Sequence, residues 1–277
     1  MTQLIQDITV QLFTGLTVVL LFVFLLGKAK VLRNIMLRRD SSFAGGLFLA
    51  VFFGIIGILG TYNGLPVHGA IANNRAVGPV VAGLVAGPGV GLGAGIVAGM
   101  HRYFLGGFTA STSALSTILE GLLAGLIYKK IRFKRERWHY ALAVAFILEI
   151  FHMALLIIFP KPLEDAIKLV EVIGPPMVII NSLGAAAFVA ILDSVYHVQE
   201  KVEATAAQLA LQIANETLPY LRKGLNRKSA EKTAKIIFNM VEDLGAVAIT
   251  SRDKILAFIG TGSDHHSTGI AGRRSSP

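Results

Sequence analysis

The chain has 277 residues, 53% hydrophobic and 16% charged, whereas soluble domains are about a quarter charged; with a mean hydropathy of +0.63 this excludes an ordinary soluble domain and indicates a membrane protein. The formal net charge of +9 does not mark a nucleic-acid binder, because Lys and Arg gather in short loops between apolar segments, where they report topology. The lack of cysteine removes disulfides, thiolate metal sites and cysteine nucleophiles.

Apolar runs of about 18 or more residues mark spans, and they occur at Ile8–Leu26, Phe43–Gly60, Phe108–Ile127, Tyr140–Phe159 and Ile173–Val195. The first is longer than a signal-peptide core and has no Lys or Arg before it, so it reads as a retained span. Ala76–Met100 is also apolar but holds eight glycines and two prolines, with Gly87-Pro88-Gly89 at its middle. Proline removes a helical hydrogen bond and the flanking glycines favour a bend.

Charge placement decides how this stretch runs. Lys28, Lys30, Arg33, Arg38 and Arg39 form one basic loop, and Lys129, Lys130, Arg132, Lys134, Arg135 and Arg137 another. Both belong on the cytoplasmic side, so an even number of crossings must separate them. Phe43–Gly60 and Phe108–Ile127 supply two. Ala76–Met100 is therefore expected to enter and leave from the outer face as a re-entrant hairpin, which is tolerated where the broken backbone is buried in protein. The expected fold class is an all-α polytopic membrane bundle, five spans plus a re-entrant Gly-rich hairpin, with the N-terminus outside and the C-terminal part cytoplasmic.

Beyond Val195 the composition turns polar. In His197–Gln212 and just after it, Val198, Val202, Ala206, Leu209 and Ile213 make a seam suited to pairing with a second copy, and Pro219 is expected to end that helix. Ser229–Glu242 reads as an amphipathic helix with Ser229 as N-cap, followed by strands Ala246–Thr250 and Ile255–Ile259. One helix and two strands are too few to enclose a core. Ser267–Pro277 is expected to be disordered.

Arg75 and Arg102 flank the hairpin, so both guanidinium groups are expected at the outer membrane surface, where their planar forks can converge on a small organic acid. The alternative is that each snorkels to headgroups or caps a half-helix. Thr109, Ser113, Ser116 and Glu120 fall on one face of the following span and can complete a pocket, or simply bind neighbouring helices together. Glu120, Glu149, His152 and Asp193 are ionisable residues in apolar runs, with Glu149 and His152 one turn apart, and a proton or ion pathway is conceivable. Asp264-His265-His266 lacks the further ligands a metal site needs. No nucleotide-binding signature or catalytic apparatus is visible.

Asn73-Asn74-Arg75-Ala76-Val77-Gly78, His101-Arg102-Tyr103-Phe104-Leu105-Gly106-Gly107 and Ser116-Thr117-Ile118-Leu119-Glu120-Gly121 together resemble the five-span receptor domain of LytS-type sensor histidine kinases. The similarity continues through Ile213–Leu221 and Gly260–His266, which look like that family's linker and the opening of its GAF-type domain. The resemblance implies a transmembrane receptor domain at 1–196, a signalling and dimerisation helix at 197–222, a partial α/β GAF-like domain at 223–266 and a disordered tail at 267–277. It also implies an extracellular ligand, a homodimer in the bacterial cell membrane, and a kinase acting on a LytR-type response regulator. Members are associated with cell-wall and autolysis control and with pyruvate sensing. The implied ligand set is Arg75, Arg102, Ser113 and Ser116, together with Asn73 of the Asn-x-Arg motif. Ser113 stands where some relatives carry cysteine, a departure that bears on ligand identity. ATP and Mg are expected only in a kinase part that lies outside this chain, and no cofactor within it. The stretch given is either a fragment or a short protein that senses without phosphotransfer. The same receptor domain occurs on diguanylate cyclases, and the broken hairpin alone would also suit a small-solute transporter or channel.

Overall fold

The computed structural model describes residues 2–27, 42–132, 134, 136–222 and 224–261. The first basic loop, Asp264-His265-His266 and the tail at 267–277 lie outside the described residues. The chain divides into two units, Met1–Tyr196 and His197–Pro277.

The first unit is built from α1 (Thr2–Gly27), α2 (Phe43–Tyr62), a hairpin of β1 (Leu65–Val67) and β2 (Ala70–Ala72), α3 (Val77–Ala86), α4 (Pro88–Phe104), α5 (Ala110–Ile131), α6 (Arg137–Ile158) and the start of α7 (Leu163–Leu221). Among the described residues five of its helices are long and apolar enough to cross a membrane: Thr2–Leu26, Phe43–Tyr62, Ala110–Ile131, Arg137–Ile158 and Leu163–Val195. The Gly-rich stretch is two helices. They part at Gly87, whose φ of 94° and ψ of 177° are closed to residues bearing a Cβ, and Pro88 starts α4 at a position where its missing N–H costs nothing.

Small residues set how closely the hairpin seats. A Cβ on Gly91 would lie 2.1 Å from the Gly121 carbonyl oxygen, and one on Gly125 would lie 2.3 Å from the Pro88 Cα. The α3–α4 hairpin and α5 are therefore in backbone contact, as helix pairs in membranes often are. Along α4, Val90 lies beside Gly46 of α2, Val97 beside Gly54 and Ala98 beside Gly57, so α2 and α4 run the same way. Since α3 and α4 are antiparallel arms of one hairpin, Arg75 before α3 and Arg102 in the last turn of α4 sit at the same end. The tip at Gly87 is at the other, against the Tyr128 ring near the end of α5.

Two features were not expected from the sequence. The β1–β2 hairpin pairs Leu65 with Ala72 and Val67 with Ala70 around a His68-Gly69 turn with φ of 45° and 77°, the left-handed pair typical of tight hairpins. Its Val67, Ala70 and Ala72 bury against Ile8, Leu12 and Leu16 of α1 and Leu169, Ile173 and Met177 of α7. Helix α7 is also far longer than the expected span, 59 residues from Leu163 to Leu221. It continues past Pro219, contrary to the expected stop there, because a proline this near a C-terminus forfeits only one ladder bond before the helix ends anyway.

In the second unit, α8 (Arg227–Met240) starts two residues before the expected Ser229 cap. Asn226 is the N-cap: its side chain accepts from the Ser229 N–H at 2.9 Å, and its own N–H donates to Ser229 Oγ at 2.9 Å. Ser229 thus closes a reciprocal box from the third helical position. Asn226→Ala should cost about 1 kcal/mol locally and appear as faster amide hydrogen exchange over the first turn of α8. Strands β3 (Ala246–Thr250) and β4 (Ile255–Gly260) form an antiparallel pair. Against them, Ala230 and Ala234 of α8 and Ala257 make a small apolar cluster with Val247, Ile249, Leu256 and Ile259 at its edge. A minimal core does form where none was expected, because short alanines let the helix approach the sheet closely.

Candidate functional site

A buried polar cluster occupies the bundle at the arginine end of the hairpin. Gly60 makes room for it: a Cβ there would stand 2.8 Å from the Asn74 carbonyl, so α2 lets the Asn73–Arg75 backbone lie directly against it. Arg75 and Arg102 are each 1% exposed, so their guanidinium groups are enclosed by protein. Neither snorkels, because neutral acceptors inside the bundle hold both.

The Arg75 fork is gripped from two sides. Nε donates to Thr117 Oγ1 at 2.7 Å, one terminal nitrogen to Asn73 Oδ1 at 3.2 Å and the other to the Ser113 carbonyl at 3.3 Å. Asn73 Oδ1 also accepts from the Arg75 N–H. Arg102 donates to the Gly106 carbonyl at 2.6 Å and to Thr109 Oγ1 at 3.2 Å, while its buried Nε has no partner. A guanidinium carries five N–H donors, so two on Arg75 and three on Arg102 remain for a ligand. Among the described residues neither forms an ion pair, and the charges of Arg102, Glu120 and Glu149 all act on Arg75. Unused donors on two buried guanidinium groups suit the acceptor oxygens of an anion.

Of the residues singled out from sequence, Asn73, Arg75 and Ser113 are thus in one hydrogen-bonded group. Ser113 takes part through its carbonyl, which also accepts from Ser116 Oγ and Thr117 Oγ1. Ser116 is fully buried, and its hydroxyl turns back on that carbonyl. Arg102 stands with Thr109. Sequence reasoning missed Thr117, Asn74 and Asn181. Thr117 is four residues from Ser113 and three from Glu120, so helical spacing could have found it. Asn181, an uncharged polar residue in an apolar run, was passed over by a search for ionisable groups.

Asn181, 1% exposed, ties the site to its neighbours. Its Nδ2 donates to Glu149 Oε1 at 2.7 Å and to the Asn73 carbonyl at 3.2 Å, and its Oδ1 accepts from Asn74 Nδ2 at 2.9 Å. Below it, His152 Nδ1 is 3.7 Å from Glu120 Oε1 and 3.6 Å from Glu149 Oε2. Asp193, the remaining candidate, stands apart in an ion pair with Arg137.

Comparisons with known proteins agree with one another. A family model described as "5TMR of 5TMR-LYT" matches residues 29–195. The sensor histidine kinase BtsS of Escherichia coli (strain K12) is 37% identical over 225 residues, covering 79% of this chain and 40% of that protein. The sensor protein LytS of Bacillus subtilis (strain 168) is 34% identical over 267 residues, covering 90% and 45%. LytS of Staphylococcus epidermidis (strain ATCC 12228 / FDA PCI 1200) reaches 48% over 120 residues, covering 43% and 20%. The chain therefore spans less than half the length of these curated relatives. No solved structure matches it.

Proposed function

This chain belongs to the 5TMR-LYT receptor family, and from that premise we propose that its bundle senses a small extracellular carboxylate of the pyruvate class, held between Arg75 and Arg102. The observation that carries the reading is the pair of buried guanidinium groups with spare donors and no carboxylate hydrogen-bonded to either. A monocarboxylate supplies a negative charge in direct contact and two acceptor oxygens in one plane, which a planar fork matches. Asn73, Ser113 and Ser116 set the shape around it, Asn73 and Ser113 by fixing the Arg75 fork.

The ligand acts by favouring one arrangement of the hairpin against α5, since only differential affinity shifts a conformational equilibrium. The change leaves along α7, whose stretch beyond Val195 exposes Val202 as part of the seam by which two copies pair. The N-terminus lies outside and the part after Val195 is cytoplasmic. The output is autophosphorylation by an ATP- and Mg-dependent histidine kinase and transfer to a LytR-type response regulator, in cell-wall or carbon-source control. The second unit is the opening of a GAF-type domain.

The test is calorimetry on the purified chain in detergent with pyruvate, other 2-oxo acids and inorganic phosphate. The wild type should bind the 2-oxo acids. Arg102→Gln should weaken that binding by about tenfold or more, the loss of charge-assisted hydrogen bonds worth about 1.5–3 kcal/mol. Unchanged affinity in Arg102→Gln would remove the pocket, and accumulation of pyruvate in liposomes bearing the chain would favour a carrier.

A further inference from the structure

Glu120 on α5 and Glu149 and His152 on α6 are 0%, 2% and 1% exposed, and one ligand atom from each lies within 4.8 Å of the others. Three titratable side chains sealed inside a membrane bundle are costly to keep unless something neutralises and coordinates them. Protein groups do so only in part: the charge of Arg75 acts on both carboxylates, but Arg75 is bonded to neither. Both oxygens of Glu120, Glu149 Oε2 and both ring nitrogens of His152 are buried without a hydrogen-bond partner. The three bonds from Arg75 all go to neutral acceptors and none to either carboxylate.

The distances discriminate between a hydrogen-bonded cluster and a coordination shell. His152 Nδ1 is 3.7 Å and 3.6 Å from the two carboxylate oxygens, beyond the roughly 2.7–3.2 Å of an N–H···O bond. A tetrahedral ion with ligands at about 2.0–2.2 Å spaces them about 3.3–3.6 Å apart along each edge. The two separations from His152 sit close to that edge length, and all three ligand atoms lie within 4.8 Å of one another. Two carboxylates and one neutral imidazole also balance the charge of a divalent cation and match the nitrogen and oxygen preference of zinc.

The surroundings resemble those of a built site. Asn181 on α7 donates to Glu149 Oε1 at 2.7 Å and is itself held by Asn74, so the glutamate is oriented by an outer partner and presents its other oxygen inward. Such outer hydrogen bonds are the usual support of metal-bound side chains. We propose that Glu120, Glu149 and His152 form an intramembrane site for a divalent transition-metal ion of the zinc class, with Asn181 positioning Glu149. It adjoins the carboxylate pocket, to which Asn181 links it, but its donor atoms are distinct from those of the pocket. The ion would bind α5 to α6 beneath Arg75.

The experiment takes the purified chain in detergent, strips it with a chelator, adds Zn2+ alone and measures bound metal and melting temperature. The expected result is one zinc per chain, a rise in melting temperature on zinc addition, and loss of both in His152→Ala and Glu149→Gln. Glu149→Gln keeps the shape and the Asn181 contact, so it remains informative if the alanine variant does not fold. In the wild type, Co2+ should give the visible absorption of a four-coordinate ion with nitrogen and oxygen ligands. No zinc uptake by the wild type overturns the proposal and leaves the cluster to a shared proton. Zinc retained at full stoichiometry in Glu149→Gln, but lost in a double His265→Ala, His266→Ala variant, overturns it equally by placing the ion elsewhere.

Discussion

Arg75→Lys is expected to weaken carboxylate binding by about 100-fold, or about 2.7 kcal/mol, while keeping the charge. The substitution separates charge from geometry. Three acceptors on two sides hold the Arg75 fork in one plane: Thr117 Oγ1 at 2.7 Å, Asn73 Oδ1 at 3.2 Å and the Ser113 carbonyl at 3.3 Å. A lysine ammonium is a point charge with three rotating donors and cannot reproduce a planar array in which some donors face the protein and the rest face a ligand. It would leave part of the acceptor set unpaired in a site 1% exposed, at a cost of about 1–3 kcal/mol per buried group. Calorimetry with pyruvate on wild type and variant measures the ratio. Equal affinities would mean that any cation at this position suffices and that the fork has no role in recognition.

Gly91→Val is expected to undo the docking of the hairpin. At Gly91 the first added carbon would already lie 2.1 Å from the Gly121 carbonyl oxygen and 2.7 Å from the Gly83 Cα. Both obstacles are backbone, so no side chain can swing away. Overpacking ordinarily costs about 1–3 kcal/mol, and a clash with two backbone segments at once belongs at or beyond the top of that range. Gly89→Ala is the matched control: nothing lies within 4 Å of its added carbon, and in a helix alanine exceeds glycine by about 0.5–1 kcal/mol. Thermal melting in detergent should show Gly91→Val strongly lowered and Gly89→Ala unchanged or slightly raised. Because the arms of the hairpin carry Arg75 and Arg102, the first variant should also lose ligand binding. A wild-type melting curve for Gly91→Val would mean that the hairpin does not sit against α5.

Much of the membrane unit was legible in the sequence, and the reason is physical. Apolar runs long enough to cross a bilayer can hardly do anything else, and Gly87-Pro88 allows a helix neither to pass nor to fail to restart. The β1–β2 hairpin was not legible, because three-residue strands such as Leu65–Val67 and Ala70–Ala72 give no alternation to detect. Helix α7 was misjudged because Pro219 carries the same letter whether it breaks a helix or merely falls near its end. In the candidate site, the motif containing Asn73 and Arg75 pointed to a stretch that the buried polar cluster includes, but not to the burial of the arginines. Their burial follows from Gly60 and from the acceptors on α5, which only tertiary placement brings to them. Asn181 escaped for the same reason: its three hydrogen bonds go to residues more than 30 positions away.

The seat of the tip at Gly87, where an added Cβ would meet the Tyr128 ring at 3.5 Å, gives the hairpin a mechanical character. With ten residues in α3, its shorter arm is about 15 Å long, braced against the second arm and α5 by backbone rather than by pliable side chains. A pair of struts of that stiffness turns rotation into stroke: a tilt of about 4° at the arginine end moves the far tip by about 1 Å over an arm of this length.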